Sequence, residues 1–187
     1  MLAPPLKLLL IAANEKKIKN YLGRIYSLSR DAAHKVSMSK IRNKYGVHPR
    51  ARWGVDTLMF GDGEIRIGAE TYLGRNCMIV SNPQTVKIVI GQHCAISHNV
   101  HIRTAVHKRC AYFKDEKNTP MQGADIIIGD YVWIGANVFI KGGCRVGANS
   151  IIGANSVVTQ DIPPDSIYGG VPARLIRMKS EYLKPNE

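Results

Sequence analysis

The chain has 187 residues, of which 45% are apolar and 21% are charged, as in a soluble globular protein with one sizeable domain. Its longest apolar run is much too short to cross a bilayer, which argues against an integral membrane protein. Lysine and arginine outnumber aspartate and glutamate by 26 to 14, a net charge of +12, and residues 1–52 hold 12 of these basic side chains against two acidic ones.

The basic excess is therefore a property of the N-terminal segment, residues 1–52. Its first part, MLAPPLKLLLIAANEKK, has an apolar centre, but no basic region precedes that centre and no small-residue cleavage site follows it. We therefore expect the segment to be retained and the protein to be cytoplasmic.

From Glu15 to Tyr45 there is no proline, and apolar residues recur at helical spacing between lysines and arginines. The pattern predicts one or two amphipathic helices. A basic amphipathic segment can meet an anionic membrane surface, an anionic saccharide or nucleic acid, or it can simply be a solvated helix face. We predict peripheral contact with the inner face of a membrane through residues 1–52 and no nucleic-acid partner.

A six-residue repeat occupies the middle of the chain. An aliphatic anchor opens each repeat, glycine often follows it, asparagine is common at the fourth position, and the fifth is small or β-branched. The anchors are Ile67, Leu73, Ile79, Ile90, Ile96, Ile102, Ile128, Ile134, Ile140, Val146, Ile152 and Val158.

A period of six does not fit a helix but suits a coil with three flat sides, each a short strand joined to the next by a tight turn. The anchor fills the narrow interior, and asparagine tolerates the left-handed conformation of tight turns. Strands of successive coils then pair about 4.8 Å apart. We predict a mainly β protein with a coil over residues 53–170, and a cap and tail with a short helix over residues 171–187.

The repeat is interrupted twice. Between Ile79 and Ile90 about five extra residues fall in or near SNPQTVK. Between Ile102 and Ile128 the gap must hold either one full coil and a loop or a long excursion from one corner. We predict a protruding loop over about residues 108–123, directly after His107. Long polar loops in compact domains are usually functional.

The sequence resembles the hexapeptide-repeat acyltransferases, and within them the galactoside, maltose and polysaccharide O-acetyltransferases. The resemblance is carried by IIIGDYVWIGANVFIKGGCRVGANSIIGANSVVTQDIPPDSIYGGVPARLIR, residues 126–177. It implies a left-handed parallel β-helix and a homotrimer with active sites between the coils of neighbouring subunits. It also implies acetyl-CoA as co-substrate, with no metal.

The resemblance also implies roles for individual residues. His107 is the expected general base, since an imidazole can take the proton of an acceptor hydroxyl near neutral pH. Two arginines three apart suit the coenzyme phosphates. The implied coenzyme residues are Ala136, Ala154, Thr159, Arg174 and Arg177, and the implied substrate residues are Asn82 and Trp133. Family members with serine at the Ala136 position have a hydroxyl that this chain lacks.

The function expected from these residues is acetyl transfer from acetyl-CoA to a hydroxyl of a saccharide, which could be lipid-linked, in surface polysaccharide or lipopolysaccharide assembly. An amine such as an amino sugar, or serine, is the alternative acceptor. A zinc carbonic-anhydrase-like protein, with His98, His101 and His107 as ligands, is a minor alternative, and a non-catalytic scaffold is another.

The cysteines do not form a metal or disulfide pattern. Cys77, Cys94 and Cys144 occupy the small fifth position of a repeat, which predicts buried side chains, whereas Cys110 lies in the loop. This distribution favours a reducing compartment.

Overall fold

The computed structural model describes residues 4–106 and 122–180. The chain divides into two units, Met1–Lys40 and Ile41–Glu187. The predicted helical segment forms one α-helix, α1 (Pro4–Lys44). Pro4 and Pro5 are tolerated because the first turn of a helix leaves its N–H groups unpaired in any case. Among the described residues, no helix is both long and apolar enough to cross a membrane.

Short strands make up the second unit, together with the turns that join them. They are β1 (Gly46–Val47), β2 (Arg52–Trp53), β3 (Leu58–Phe60), β4 (Glu64–Ile67), β5 (Tyr72–Leu73), β6 (Met78–Val80), β7 (Lys87–Ile90), β8 (Ala95–Ile96), β9 (His101–Arg103), β10 (Ala105–Val106), β11 (Gln122–Gly123), β12 (Ile126–Ile128), β13 (Trp133–Ile134), β14 (Phe139–Lys141), β15 (Arg145–Val146), β16 (Ile151–Ile152), β17 (Val157–Val158), β18 (Ser166–Gly169) and β19 (Arg174–Met178).

Except for β10 and β11, these strands form three sheets that are the three sides of a coil, and every pairing within them is parallel apart from that of β18 with β19. The first sheet has the order β1-β4-β7-β12-β15, the second β19-β18-β16-β13-β8-β5-β2, and the third β17-β14-β9-β6-β3. Each sheet takes one strand from every successive coil, as the period of six predicts. The prediction of a mainly β protein with a parallel coil is confirmed.

The repeat positions behave as their chemistry predicts. The anchors fill the interior, where Ile79, Ile102 and Ile140 have no exposed surface. Asn99, Asn137 and Asn155 occupy turns with φ between 57° and 58°, the left-handed region that asparagine tolerates. Their side chains also form a ladder along one corner, with amide donors 3.0 and 2.9 Å from the next oxygen.

The coil begins at Gly46, ahead of the predicted boundary at residue 53. Val47 and Trp53 are buried and pair in register with Ile67 and Leu73 of the next coil. The buried Ala51 supplies the small fifth position. The six-residue pattern did not identify this first coil, because its second anchor, Trp53, is aromatic and no glycine follows its first anchor, Val47.

The two interruptions have different structures. Ile67 pairs with Ile90 at an offset of 23 residues, whereas one uninterrupted coil, such as that from Ile128 to Val146, has an offset of 18, so five residues are inserted as predicted. Ile90 pairs with Ile128 and Ile102 with Ile140, and both offsets are 38 residues. Since the flanking coils pair directly, the second interruption is an excursion from one corner and holds no extra coil.

The C-terminal segment differs from the prediction in one respect. Arg174–Met178 form β19, which pairs antiparallel with β18, and not the predicted short helix. The turn at Gly169–Gly170, where Gly170 has φ +98°, reverses the chain so that it pairs back on the last strand of the second sheet and covers its edge. Residues 181–187 of the predicted tail lie outside the described residues.

Candidate active site

A short antiparallel ribbon leaves the coil at the second interruption. It consists of β10 and β11, with Ala105 opposite Gly123 and Val106 opposite Gln122. The ribbon is closed at its base because the Ala124 N–H donates to the Thr104 carbonyl over 3.1 Å. The predicted loop therefore has a stem that starts at Ala105, three residues before the predicted start.

His107 directly follows Val106, the last residue of β10. His107 and residues 108–121, which include the predicted general base and most of the predicted loop, lie outside the described residues. The described stem fixes the corner of the coil at which this segment departs and returns.

Asn82 lies beside the base of the ribbon. The Asn82 N–H donates to the Thr104 hydroxyl, and this hydroxyl donates to the Asn82 carbonyl, both over 2.8 Å. The Asn82 side-chain oxygen accepts from the Asp62 N–H over 3.0 Å. A side chain at Gly123 would meet the Asn82 carbonyl oxygen at 2.5 Å. Asn82 thus touches the loop stem, although its amide oxygen already has a structural partner.

Trp133 lies on another side of the coil. It is in β13 of the second sheet, between Ala95 and Ile151, with 56% of its surface exposed. Asn82 follows a strand of the third sheet, so the two predicted substrate residues occupy different faces of one chain.

The sequence did not single out two basic side chains next to the stem. Arg103 ends β9, Lys141 ends β14, and the two are partners in the parallel pairing of these strands. Both are exposed. A signal was present, because both follow an anchor at the position where glycine is common elsewhere in the repeat.

The predicted coenzyme residues of the coil lie on its last two turns. Ala136 and Ala154 stack at the corner between the second and third sheets, where the Asn155 N–H donates to the Ala136 carbonyl over 2.8 Å. Thr159 follows β17 and is exposed. Small side chains at this corner leave the backbone open to contact, as a groove for an extended arm requires.

Arg174 and Arg177 share one face of β19 by register. Residues three apart in a regular strand point to opposite faces, but Arg174 pairs with Gly169 and Arg177 with Ile167, and the pairing shifts between Ile167 and Tyr168. This bulge puts an extra residue between the two arginines, so that their partners are two apart and lie on one face. Both arginines are exposed.

His93, His98 and His101 have different surroundings. His93 sits in a left-handed turn and stacks on Tyr131, with ring centroids 5.1 Å apart. The His98 Nδ1 accepts the Arg75 N–H over 2.9 Å, and His101 is exposed on the third sheet. Within residues 4–106 and 122–180, no group of three metal-ligating side chains occurs, and His107, the third ligand of the zinc alternative, lies outside them.

Three cysteines are buried and unpaired, as their repeat position predicts: Cys77, Cys94 and Cys144. Burial raises the pKa of each thiol. They are therefore packing residues and poor nucleophiles. Cys110 lies outside the described residues.

Comparison with known proteins agrees with this geometry. The family model for bacterial transferase hexapeptide repeats matches residues 125–160. The galactoside O-acetyltransferase of Escherichia coli K12 is 36% identical over 140 residues, which are 74% of this chain and 66% of that protein. The match thus spans slightly less than two thirds of this relative.

Two solved structures extend the comparison. A hexapeptide-repeat acetyltransferase from Vibrio cholerae, in complex with acetyl-CoA, is 32% identical over 73% of each chain, with a TM-score of 0.57. A maltose O-acetyltransferase from Clostridium difficile is 31% identical over 73% of this chain and 71% of its own, with a TM-score of 0.62. These neighbours are consistent with the left-handed coil that the resemblance implies.

Proposed function

Since the chain belongs to the hexapeptide-repeat acetyltransferase family, we propose that it transfers an acetyl group from acetyl-CoA to a hydroxyl of a saccharide acceptor. The observation that carries the proposal is the interrupted coil: a ribbon leaves it at Thr104, Asn82 contacts the base of this ribbon, and His107 follows its first strand. The galactoside and maltose relatives support a saccharide as the acceptor.

In the proposed reaction His107 is the general base. It takes the proton of the acceptor hydroxyl while the hydroxyl oxygen attacks the thioester carbonyl. The carbon–sulfur bond then breaks, coenzyme A leaves as the thiolate, and the proton on His107 can pass to it. An imidazole suits this role because its ordinary pKa, about 6.5, lets it accept and release a proton near neutral pH.

We assign the coenzyme to the last turns of the coil. The corner at Ala136 and Ala154 would hold the pantetheine arm through backbone groups, with Thr159 farther along. Arg174 and Arg177 would meet the nucleotide phosphates, and their shared face on β19 fits that role. The absence of a side-chain hydroxyl at Ala136 leaves only backbone contacts at this position.

The proposed assembly is a homotrimer, in which a second coil would complete the site. This arrangement is supported by Trp133 and Asn82, which lie on different faces of one chain although both are assigned to the acceptor. The proposed setting is surface polysaccharide or lipopolysaccharide assembly in the cytoplasm. A reducing compartment fits the unpaired thiols of the coil.

The N-terminal helix is proposed to contact the membrane surface. Ile18, Leu22 and Ile25 form one stripe of α1 and are 57%, 57% and 46% exposed. At about 100° per residue, Lys17 and Lys19 flank this stripe on opposite sides. An exposed apolar stripe with basic flanks is the pattern of a helix that lies in the interface of an anionic bilayer.

Vesicle flotation tests this contact in the full chain. We expect binding to vesicles that contain phosphatidylglycerol, weak binding to pure phosphatidylcholine, and at least about a tenfold loss of binding for the triple variant I18Q/L22Q/I25Q. Ser27→Gln, which changes the exposed opposite face, is the control. A triple variant that floats like the unmodified protein would rule out the helix as the contact.

A thiol-release assay with acetyl-CoA tests the proposed activity. The acceptor panel contains galactosides, maltose, glucosamine and serine. Thiol release with a sugar that has no amine, together with an O-acetylated product by mass spectrometry, is the expected result. Release with glucosamine or serine alone would move the function to the alternative acceptors, and no release with any acceptor would contradict the proposal.

A further inference from the structure

Arg103 and Lys141 form a pair of like charges on the outer face of the third sheet. They are direct partners on neighbouring parallel strands, which run about 4.8 Å apart. Both side chains are exposed, and each neighbours a fully buried anchor, Ile102 or Ile140. Like charges placed opposite each other in a sheet are destabilising, so the pair raises the free energy of the folded state unless an anion lies between them.

No acidic side chain of the described residues neutralises this pair. The ion pairs within 4.0 Å there join Arg50 to Glu70, Arg66 to Glu64, and Lys87 to Asp125. Two carboxylates lie at the same corner of the coil, Asp125 and Asp161. Asp125 accepts the Lys87 N–H over 2.9 Å, and Asp161 accepts the Arg145 N–H over 2.7 Å, so both are engaged with strands of the first sheet.

The pair stands at the base of the ribbon that precedes His107. Arg103 is followed by Thr104, whose carbonyl closes the ribbon by accepting the Ala124 N–H. Lys141 is followed by Gly142, where a side chain would collide with the same Thr104 carbonyl. Arg103 and Lys141 therefore lie where the backbones of two successive coils and the ribbon meet.

We propose that Arg103 and Lys141 bind an anionic group on the acceptor, so that the natural acceptor is an acidic saccharide that carries a carboxylate or a phosphate. The inference rests on the proposed acetyl transfer to a saccharide. A guanidinium and an ammonium side by side supply several donors to one oxyanion, and the anion removes their mutual repulsion. The coenzyme phosphates are assigned elsewhere, to Arg174 and Arg177 on β19.

Equilibrium binding separates this site from turnover. We expect calorimetry to show that trigalacturonate or galactose 6-phosphate binds at least about ten times more tightly than the neutral trigalactoside or galactose. The double variant R103Q/K141Q should lose this preference, whereas Arg145→Gln, an exposed arginine of the first sheet, should keep it. Tighter binding of trigalacturonate alone identifies a carboxylate site, and tighter binding of the phosphate alone a phosphate site. Equal binding of acidic and neutral sugars to the unmodified protein would overturn the inference.

Kinetics then distinguish the inference from the proposed function. In R103Q/K141Q the KM for the acidic acceptor should rise about 10- to 100-fold, with kcat and the KM for acetyl-CoA little changed and the neutral acceptor unaffected. An increase in the KM for acetyl-CoA with every acceptor would assign the pair to the coenzyme and overturn the inference. Absence of thiol release with all acceptors would instead refute the proposed function, and the binding preference would still decide the anion site.

Discussion

The Thr104 hydroxyl binds the backbone of Asn82 twice, since it accepts the Asn82 N–H and donates to the Asn82 carbonyl, both over 2.8 Å. Thr104 has no exposed surface. The two residues belong to successive coils, and Thr104 also begins the ribbon that leads to His107. One buried hydroxyl therefore connects the predicted acceptor residue with the base of the predicted loop.

Thr104→Val should lower both stability and turnover. Valine keeps the shape but leaves the Asn82 N–H without its acceptor, which costs about 1–3 kcal/mol of unfolding free energy. Chemical denaturation measures this change, and the thiol-release rate reports the displacement of the loop base. Thr104→Ser, which keeps the hydroxyl, is the control. A valine variant as stable and active as the unmodified protein would show that the two hydrogen bonds between Thr104 and Asn82 are unimportant.

His107→Ala should reduce kcat by about two to four orders of magnitude, because the acceptor hydroxyl would lose the proposed general base. Acetyl-CoA should still bind with a dissociation constant close to that of the unmodified protein, as calorimetry can measure. The matched control is His93→Asn, because His93 lies in a left-handed turn that asparagine tolerates. Turnover of His107→Ala within a few-fold of the unmodified rate would exclude His107 as the base.

The coil could be predicted from the sequence because each repeat carries its own chemistry. Anchors such as Ile102 and Ile140 are buried, and turn residues such as Asn137 adopt the left-handed conformation. The first coil was harder to detect, since Trp53 is an aromatic anchor in a repeat of aliphatic ones. The final strand was missed because Arg174–Met178 pair antiparallel with β18 after the turn at Gly169–Gly170, and the six-residue period describes only parallel pairing between successive coils.

Features of the candidate site that follow from the local sequence could be predicted, whereas contacts between residues distant in sequence could not. The break in the repeat marks the position of the ribbon, but the pairing of Arg103 with Lys141 comes from two strands 38 residues apart in sequence. The resemblance assigned both Trp133 and Asn82 to the acceptor, but it did not reveal their positions in space, because the coil places them on different faces. Contacts between coils depend on the lengths of insertions, which periodicity alone does not reveal.

The double variant R174Q/R177Q should raise the KM for acetyl-CoA about 10- to 100-fold, because charge-assisted hydrogen bonds to the phosphates are lost. Acetyl-pantetheine, which lacks the nucleotide, is the matched test substrate. The variant and the unmodified protein should use it equally well. If the variant loses as much activity with acetyl-pantetheine as with acetyl-CoA, the arginines do not act through the nucleotide phosphates.

Gly135→Ala should destabilise the coil where the coenzyme groove is proposed. The added methyl group would meet the Ala154 backbone nitrogen at 2.5 Å and its Cα at 2.8 Å, so two successive coils would have to separate. We expect a loss of about 1–3 kcal/mol in unfolding free energy and weaker binding of acetyl-CoA. Gly23→Ala in α1, where no atom other than those of the two neighbouring residues and the adjacent helix backbone lies within 4 Å of the added methyl group, should not destabilise. An unchanged melting temperature for Gly135→Ala would contradict the close packing.

The three buried thiols should resist alkylation in the folded protein. Burial raises the pKa of Cys77, Cys94 and Cys144, so at pH 8 each holds less thiolate than an exposed cysteine with its ordinary pKa of about 8.5. In a Cys110→Ser variant, iodoacetamide at pH 8 should label these thiols at least about tenfold more slowly than free cysteine, and should label all three in denaturant. Because the thiolate is the reactive form, raising the pH to 9 should speed the labelling of both the folded protein and free cysteine, and the folded protein should remain the slower of the two. Rapid labelling of the folded variant at pH 8 would show that these positions open to solvent and are not fixed packing sites of the coil.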